Sequence, residues 1–281
     1  MSKERWTTRK ACIGGTSMKI QVEDIQPKYA ALNINENELY LINSFRRIML
    51  SELPKLAIEN IIIYDNTTTL FDEIVSHRIG LIPIPTDLTL LNFHEECNCK
   101  GEGCPSCMVR YTLSKEGAGM VHSGDLQASE ESWKITEDNV PIVELFNNQR
   151  IILEVEAILG RGKDHAKWQS VVSPGYRFIP KIQFDPKNKK EVESFIEELP
   201  KGLVSMNKNT LELDDVKHLA VFESYLQKEK IDFISIELDE SHIQFHFETD
   251  GALNAKDALD HSIQIFEEKL DEFEKKLKKI K

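Results

Sequence analysis

Residues 255–281 read AKDALDHSIQIFEEKLDEFEKKLKKIK. Within them Leu259, Ile263, Phe266, Leu270, Phe273, Leu277 and Ile280 are spaced 4, 3, 4, 3, 4 and 3 residues apart. That is a heptad seam, the pattern of a helix that packs along one narrow stripe. Gly251 is the last Gly or Pro. Asp257, Asp260, Glu267 and Glu268 come early, and Lys275, Lys276, Lys278, Lys279 and Lys281 come late. This order suits the helix dipole. At about 1.5 Å per residue such a helix is a rod of roughly 40 Å, as long as a small domain is wide. It could lie on its own core or share its seam with another chain. The length favours the second, and spacing alone leaves both open.

Upstream, Ile231–Leu238 and His242–Glu248 alternate like strands, and Asp239-Glu240-Ser241 between them predicts a hairpin. From Asp185 to Lys230 the chain is polar, with short helices predicted over Val192–Leu199 and Asp214–Gln227. Phe178–Phe184, Gln149–Ile158 and Tyr111–Leu113 read as strands, punctuated by Ser173-Pro174-Gly175 and Gly160-Arg161-Gly162. Ser114–Asn139 reads as a polar loop. A helix is predicted over Glu38–Leu53, with Leu39, Ile42, Phe45, Met49 and Leu53 on one stripe and Pro54 as its stop. Leu56–Tyr64 is β-rich, and a short helix over Phe71–Ile79 is expected to end in a left-handed Gly80. Lys19–Ile34 is strand-like. Residues 1–17 read as a flexible basic tail holding Cys12. The sum is an α+β protein.

At 281 residues the chain is long enough for about two domains. A net charge of −12 argues against a whole-surface nucleic-acid binder, which needs clustered Lys and Arg. The apolar runs Ile61–Tyr64 and Ile79–Pro85 are far shorter than a membrane span, and no secretory signal is read. The expectation is a cytoplasmic protein with no membrane partner.

Four of the five cysteines lie in Cys97-Asn98-Cys99-Lys100-Gly101-Glu102-Gly103-Cys104-Pro105-Ser106-Cys107. Too few and too clustered for a disulfide framework, they form C-x-C-x4-C-x2-C, and four thiolates can close a tetrahedron around Zn²⁺. With Cys97, Cys99, Cys104 and Cys107 all as ligands, no position stays open for water, so the expected zinc site is structural. The ferredoxin C-x2-C-x2-C run is missing. A C-x2-C redox motif is the enzymatic alternative.

Gly160-Arg161-Gly162-Lys163 looks like a phosphate loop, but Asp164 stands where a Walker motif has Ser or Thr. His77 and Arg78 could pair with Asp72 and Glu73 along a short helix. Neither a nucleophile motif nor a compact carboxylate cluster is found, so the chain reads as non-catalytic. Two other readings are a stand-alone zinc-binding redox or hydrolytic enzyme and a self-dimerising structural protein.

Three stretches carry a resemblance: Asn43-Ser44-Phe45-Arg46-Arg47-Ile48-Met49-Leu50-Ser51-Glu52-Leu53-Pro54, His77-Arg78-Ile79-Gly80-Leu81-Ile82-Pro83-Ile84, and His165-Ala166-Lys167-Trp168. Together they resemble the alpha-like D family of archaeal DNA-directed RNA polymerase subunits. Its members are the counterparts of bacterial alpha and of the third-largest subunit of eukaryotic RNA polymerase II. The resemblance covers about Met18 to Lys281.

It implies a discontinuous dimerisation domain over 18–54, 174–187 and 231–281, built as an antiparallel sheet plus two helices. A mostly β domain over 55–173 is inserted and carries the cysteine loop 97–107. A ferredoxin-like third domain over 188–230, marked by Glu198-Leu199-Pro200-Lys201-Gly202, contains no Cys, so no iron–sulfur cluster is expected. The implied partner is polymerase subunit L, met through Leu259, Ile263, Phe266, Leu270, Phe273 and Leu277. The large catalytic subunits are expected at Arg46, Arg47, His165, Lys167 and Trp168, and small assembly subunits are implied as further partners. Sequence-specific nucleic-acid binding is not expected.

Overall fold

The computed structural model describes residues 10–13, 16–35, 38–207 and 210–279. In chain order the strands and helices are β1 (Lys10–Ile13), β2 (Thr16–Gln26), β3 (Tyr29–Asn35), α1 (Leu39–Ser51), β4 (Pro54–Asn66), α2 (Asp72–Gly80), β5 (Met108–Glu116), β6 (Gly119–His122), β7 (Gln127–Ala128), β8 (Pro141–Leu145), β9 (Arg150–Arg161), β10 (Val171–Phe184), α3 (Lys189–Glu198), β11 (Val204–Asn207), β12 (Thr210–Leu213), α4 (Leu219–Glu229), β13 (Ile234–Thr249) and α5 (Ala255–Lys278). The α+β class is as expected. Seven strands form a sheet in the order β1-β2-β3-β13-β10-β12-β11, four form β4-β9-β5-β7, and β6 pairs with β8.

Two compact units divide the chain. One holds the described residues up to Asp24, together with Ala31–Leu39 and Gly175–His246. Its core joins Val192 and Phe195 of α3 with Phe222 and Leu226 of α4. It also draws in Ile182 and Phe184 of β10 and Ile234 of β13. The other unit holds Ile25–Ala30, Tyr40–Pro174 and the described residues from Phe247 onward. Its largest core runs from Leu56 to Leu159, with Val75 and Ile79 of α2 packed against alternate residues of β4, β5 and β9. Strands β5 and β9 bury every second side chain, as a sheet with one covered face must.

Several sequence expectations are corrected. Residues 10–13 of the presumed tail form β1, antiparallel to β2 with Lys10 opposite Lys19; the rest of the tail up to residue 9, with 14 and 15, lies outside the described residues. The hairpin at Asp239-Glu240-Ser241 does not exist, because β13 runs unbroken through it. A tight hairpin turn needs positive φ, and none of these three residues has it. Gly80 is the last residue of α2, and its cap Leu81 is right-handed at φ −96°. Ser173-Pro174-Gly175 sits inside β10, where Ser173 takes φ +49° as a kink rather than an end. The expected loop Ser114–Asn139 contains the short strands β6 and β7.

Asp239 accepts hydrogen bonds from Ser241 N–H (3.0 Å) and Ser241 Oγ (2.6 Å) and pairs with Lys181 (2.8 Å). Lys181 first, with help from Ser241 and His242, holds this carboxyl well below its ordinary value of 3.8. A depressed native pKa contributes stability that is present above the ordinary value and lost as pH falls through the native one. Asp239→Asn should therefore flatten the acid limb of a melting-temperature profile between about pH 4 and pH 2. An unchanged acid limb would show that Asp239 carries no part of it.

Candidate metal centre and contact surfaces

The cysteine loop hangs between a single helical turn at His94–Glu96 and the start of β5. Asn92 N–H donates to the Ser106 carbonyl (2.8 Å), tying its base. Lys100 N–H to Cys97 C=O (3.0 Å) and Glu102 N–H to Cys99 C=O (3.2 Å) form one turn, and Cys107 N–H to Cys104 C=O (2.9 Å) the other. Gly103 has φ +80°, and a Cβ there would come within 2.5 Å of the Met108 methyl. The Met108 side chain could give way, but the positive φ favours glycine at this link between the two turns.

These turns gather the four sulfurs. Cys97 and Cys104 Sγ are 3.5 Å apart, Cys99 and Cys107 3.6 Å, and Cys104 and Cys107 3.8 Å, and all lie within 4.8 Å of one another. A disulfide needs about 2.05 Å, so these are free thiols. A tetrahedron with metal–sulfur arms of about 2.3 Å has edges of about 3.8 Å, so the cluster has the size of a tetrathiolate metal site.

The protonation chemistry agrees. Burial opposes the Cys99 thiolate, but hydrogen bonds from the Cys107 and Cys97 thiols and from the Gly101 and Gly103 amides outweigh it and bring the thiol down to about 6. Cys107 is pushed up to about 12, chiefly by burial. Four adjacent sulfurs cannot all be anions without a cation among them, and a divalent metal could supply that charge. All four predicted ligands therefore converge. Cys99→Ser is expected to cut bound metal from about one equivalent to a small fraction and to loosen residues 97–107 while leaving α5 helical. Metal analysis with hydrogen exchange reads both, and full metal content in the variant would remove Cys99 from the ligand set.

The Gly160-Arg161-Gly162 segment is a packing site. A Cβ at Gly160 would lie 2.3 Å from the Trp168 ring, and one at Gly162 would lie 2.0 Å from the Leu50 carbonyl. Trp168 is only 8% exposed and donates from Nε1 to the Ile158 carbonyl (3.2 Å). It closes the turn Ala166–Trp168 and offers little surface to a partner. Lys167 lies over its ring (4.5 Å), donates to the Ile58 carbonyl (2.9 Å) and pairs with Glu59. His165 accepts from Lys167 N–H through Nδ1 (3.1 Å). Arg78 donates to the Ile142 carbonyl (2.7 Å) instead of pairing along α2. A cleft of about 310 Å³ lies between β4, the end of α2 and this turn.

On α1, Arg46 is held by Asn43 Oδ1 (3.1 and 3.0 Å) and Arg47 is exposed. Phe45 meets Phe266 of α5 at 6.3 Å between ring centroids, and Glu52 pairs with Lys269 (3.3 Å). The first turns of α5 are seated through Ala255, Ala258 and Ser262. Beyond Phe266 its apolar stripe is bare: Leu270, Phe273 and Leu277 are 42%, 61% and 48% exposed. Ile280 lies outside the described residues.

Ser241, His242 and Asp239 are clustered, but Ser241 Oγ (2.9 Å) and Asp239 both meet the same ring nitrogen, Nδ1. A catalytic triad uses the two ring nitrogens separately. None of the described helices is long and apolar enough to cross a membrane.

The family model for the RNA polymerase Rpb3/RpoA insert domain matches residues 58–180. The DNA-directed RNA polymerase subunit Rpo3 of Thermoplasma volcanium is 36% identical over 88% of this chain and 94% of its own length. The subunits of the same name from Methanosphaera stadtmanae and Picrophilus torridus are each 34% identical over 90% of this chain, covering 96% and 97% of their own lengths.

Proposed function

Since the chain belongs to the Rpo3 family of DNA-directed RNA polymerase subunits, we propose that it is a non-catalytic assembly subunit of that enzyme. It takes part in transcription of DNA into RNA as scaffold for subunits that hold the catalytic metal. The observation that carries the mechanism is the bare stripe Leu270, Phe273 and Leu277 on α5. Apolar side chains repeating at heptad spacing call for a second helix, and the smaller alpha-like subunit L fits that role. Leu259, Ile263 and Phe266 continue the seam toward the seated end.

In this reading residues 18–54, 174–187 and 231–281 form the dimerisation domain, 55–173 the inserted domain and 188–230 a third domain without cluster ligands. The inserted domain has its own core and its own group of four cysteines, to which we assign one structural Zn²⁺ on the size of the sulfur tetrahedron. Arg47, with its exposed guanidinium fork, and Arg46 beside it are the assigned contacts to a large catalytic subunit. His165 and Lys167 add to that contact, with Trp168 positioning them. Small assembly subunits complete the platform, in a cytoplasmic enzyme.

Co-expression with the small alpha-like subunit tests this directly. The expected result is an equimolar heterodimer on size exclusion that recruits the large subunits when they are added. A chain that stays monomeric at micromolar concentration beside that subunit would overturn the proposal. A homodimer would instead support self-dimerisation. The enzyme reading predicts an activity of the isolated chain that dies with Cys104 or Cys107.

A further inference from the structure

β4 is the outermost strand of its sheet, paired only with β9 among the described residues. In an antiparallel pair, successive residues turn their N–H and C=O alternately toward the partner strand and away from it. The outward set is fixed at one end by the chain itself. Leu56 N–H donates to Thr86 Oγ1 (3.0 Å), and Ile58 C=O accepts from Lys167 (2.9 Å). An extra residue at Glu59 shifts the phase, since the register steps between Ile58 and Asn60. With Asn60 opposite Glu156 and Ile62 opposite Glu154, the outward residues become Ile61 and Ile63. Outside the ladder, no backbone hydrogen bond of Ile61 or Ile63 is seen among the described residues.

Natural edge strands are blunted by Lys, Pro, an inward charge or β-bulges. The window Ile61-Ile62-Ile63-Tyr64 has no Lys, Pro or charge, and the register steps at its two ends limit the open edge to this short stretch. Its outer face carries Ile62 and Tyr64, at 45% and 64% exposure. A second register step between Ile63 and Asp65 closes the window at its far end. What fits two outward donors and two outward acceptors on a short edge with apolar flanks is an extended chain adding as a strand.

We propose that the outer edge of β4, from Glu59 to Tyr64, docks an extended segment of a large catalytic subunit as a fifth strand. The choice of occupant rests on the assembly reading above. The cleft beside Ile61 is walled by His165 and Lys167, which that reading already assigns to a large subunit, and by His77 and Leu81 at the end of α2. The added strand is continuous with that contact. Lys167, by holding Ile58 C=O, sets where it must stop.

Hydrogen exchange, on the isolated chain and on the reconstituted polymerase, tests the docking. The Ile61 and Ile63 amides should exchange freely in the isolated chain and slow about 100-fold or more in the enzyme. Ile61→Pro removes one outward donor and spares every bond to β9; because Ile61 also packs against the core, its melting temperature should fall. Its recruitment of the large subunits, expected to weaken about tenfold, is therefore compared with that of Ile61→Ala, which loses the same packing, keeps the donor and should recruit as the unaltered chain does. Fast exchange at both amides within an intact enzyme would overturn the docking and leave the assembly reading standing. Protection that develops in the isolated chain with rising concentration would assign the edge to a second copy and likewise overturn it. If the large subunits are not recruited by the unaltered chain, the assembly reading fails and the docking with it.

Discussion

Replacing Phe273 with Asp should abolish pairing with the small alpha-like subunit while leaving the isolated chain as stable as before. Phe273 is the most exposed residue of the stripe on α5, so its ring contributes little to this chain's own fold. In a heptad seam it becomes a buried knob, and a carboxylate there would be desolvated without a partner. Such a substitution costs roughly 3 kcal/mol or more, at least about a hundredfold in affinity. Phe266→Asp would be a poorer probe, because Phe266 also packs on Phe45 and its loss would disturb α1. Titration by size exclusion or calorimetry reads the outcome. Undiminished pairing of the Phe273 variant would mean that the stripe faces something else.

Replacing Lys55 with Met should destabilise the unit that carries α5 by about 3 kcal/mol. Lys55, at the start of β4, pairs with Asp250 just after β13, and their side chains are only 4% and 17% exposed. Asp250 also accepts from Ala252 N–H (3.0 Å), and Thr86 N–H donates to the Ala252 carbonyl (2.9 Å). The ion pair thus fixes the segment leading into α5 against the start of β4. Removing the ammonium strands a poorly hydrated carboxylate. Adding Asp250→Asn should restore much of the loss, since an amide needs no counter-ion. Urea unfolding measures both variants. A single-variant cost under about 0.5 kcal/mol would place the pair among surface bridges of little weight.

The parts of this fold legible in the sequence are those whose cause is local. The heptad spacing finds α5 to within a few residues, and the cysteine spacing finds the group of four sulfurs, because all four lie on one loop. The failures are long-range. Asp239 and Ser241 do make the local hydrogen bond that reads as a turn, but Lys181 takes the same carboxylate and β13 continues. Gly160 and Gly162 look like a phosphate loop until the indole of Trp168 and the carbonyl of Leu50 are seen to fill the space a Cβ would need. β6 and β7, of four and two residues, are too short for any periodicity to register. The free edge of β4 is invisible for another reason. Which strand lies outermost is a property of topology, and a run of isoleucines reads the same in a central strand.

The compactness of the cysteine loop also orders events during synthesis. Its four cysteines are neighbours in the chain, so capture of the proposed zinc would need no distant contact and could begin once this stretch has left the ribosome. Residues 255–278 are made much later, so a nascent chain can be metallated well before it is able to meet a companion. Shortage of the ion and shortage of the companion would then leave two distinct kinds of orphan: one with an unravelled tip, the other with a sticky rod.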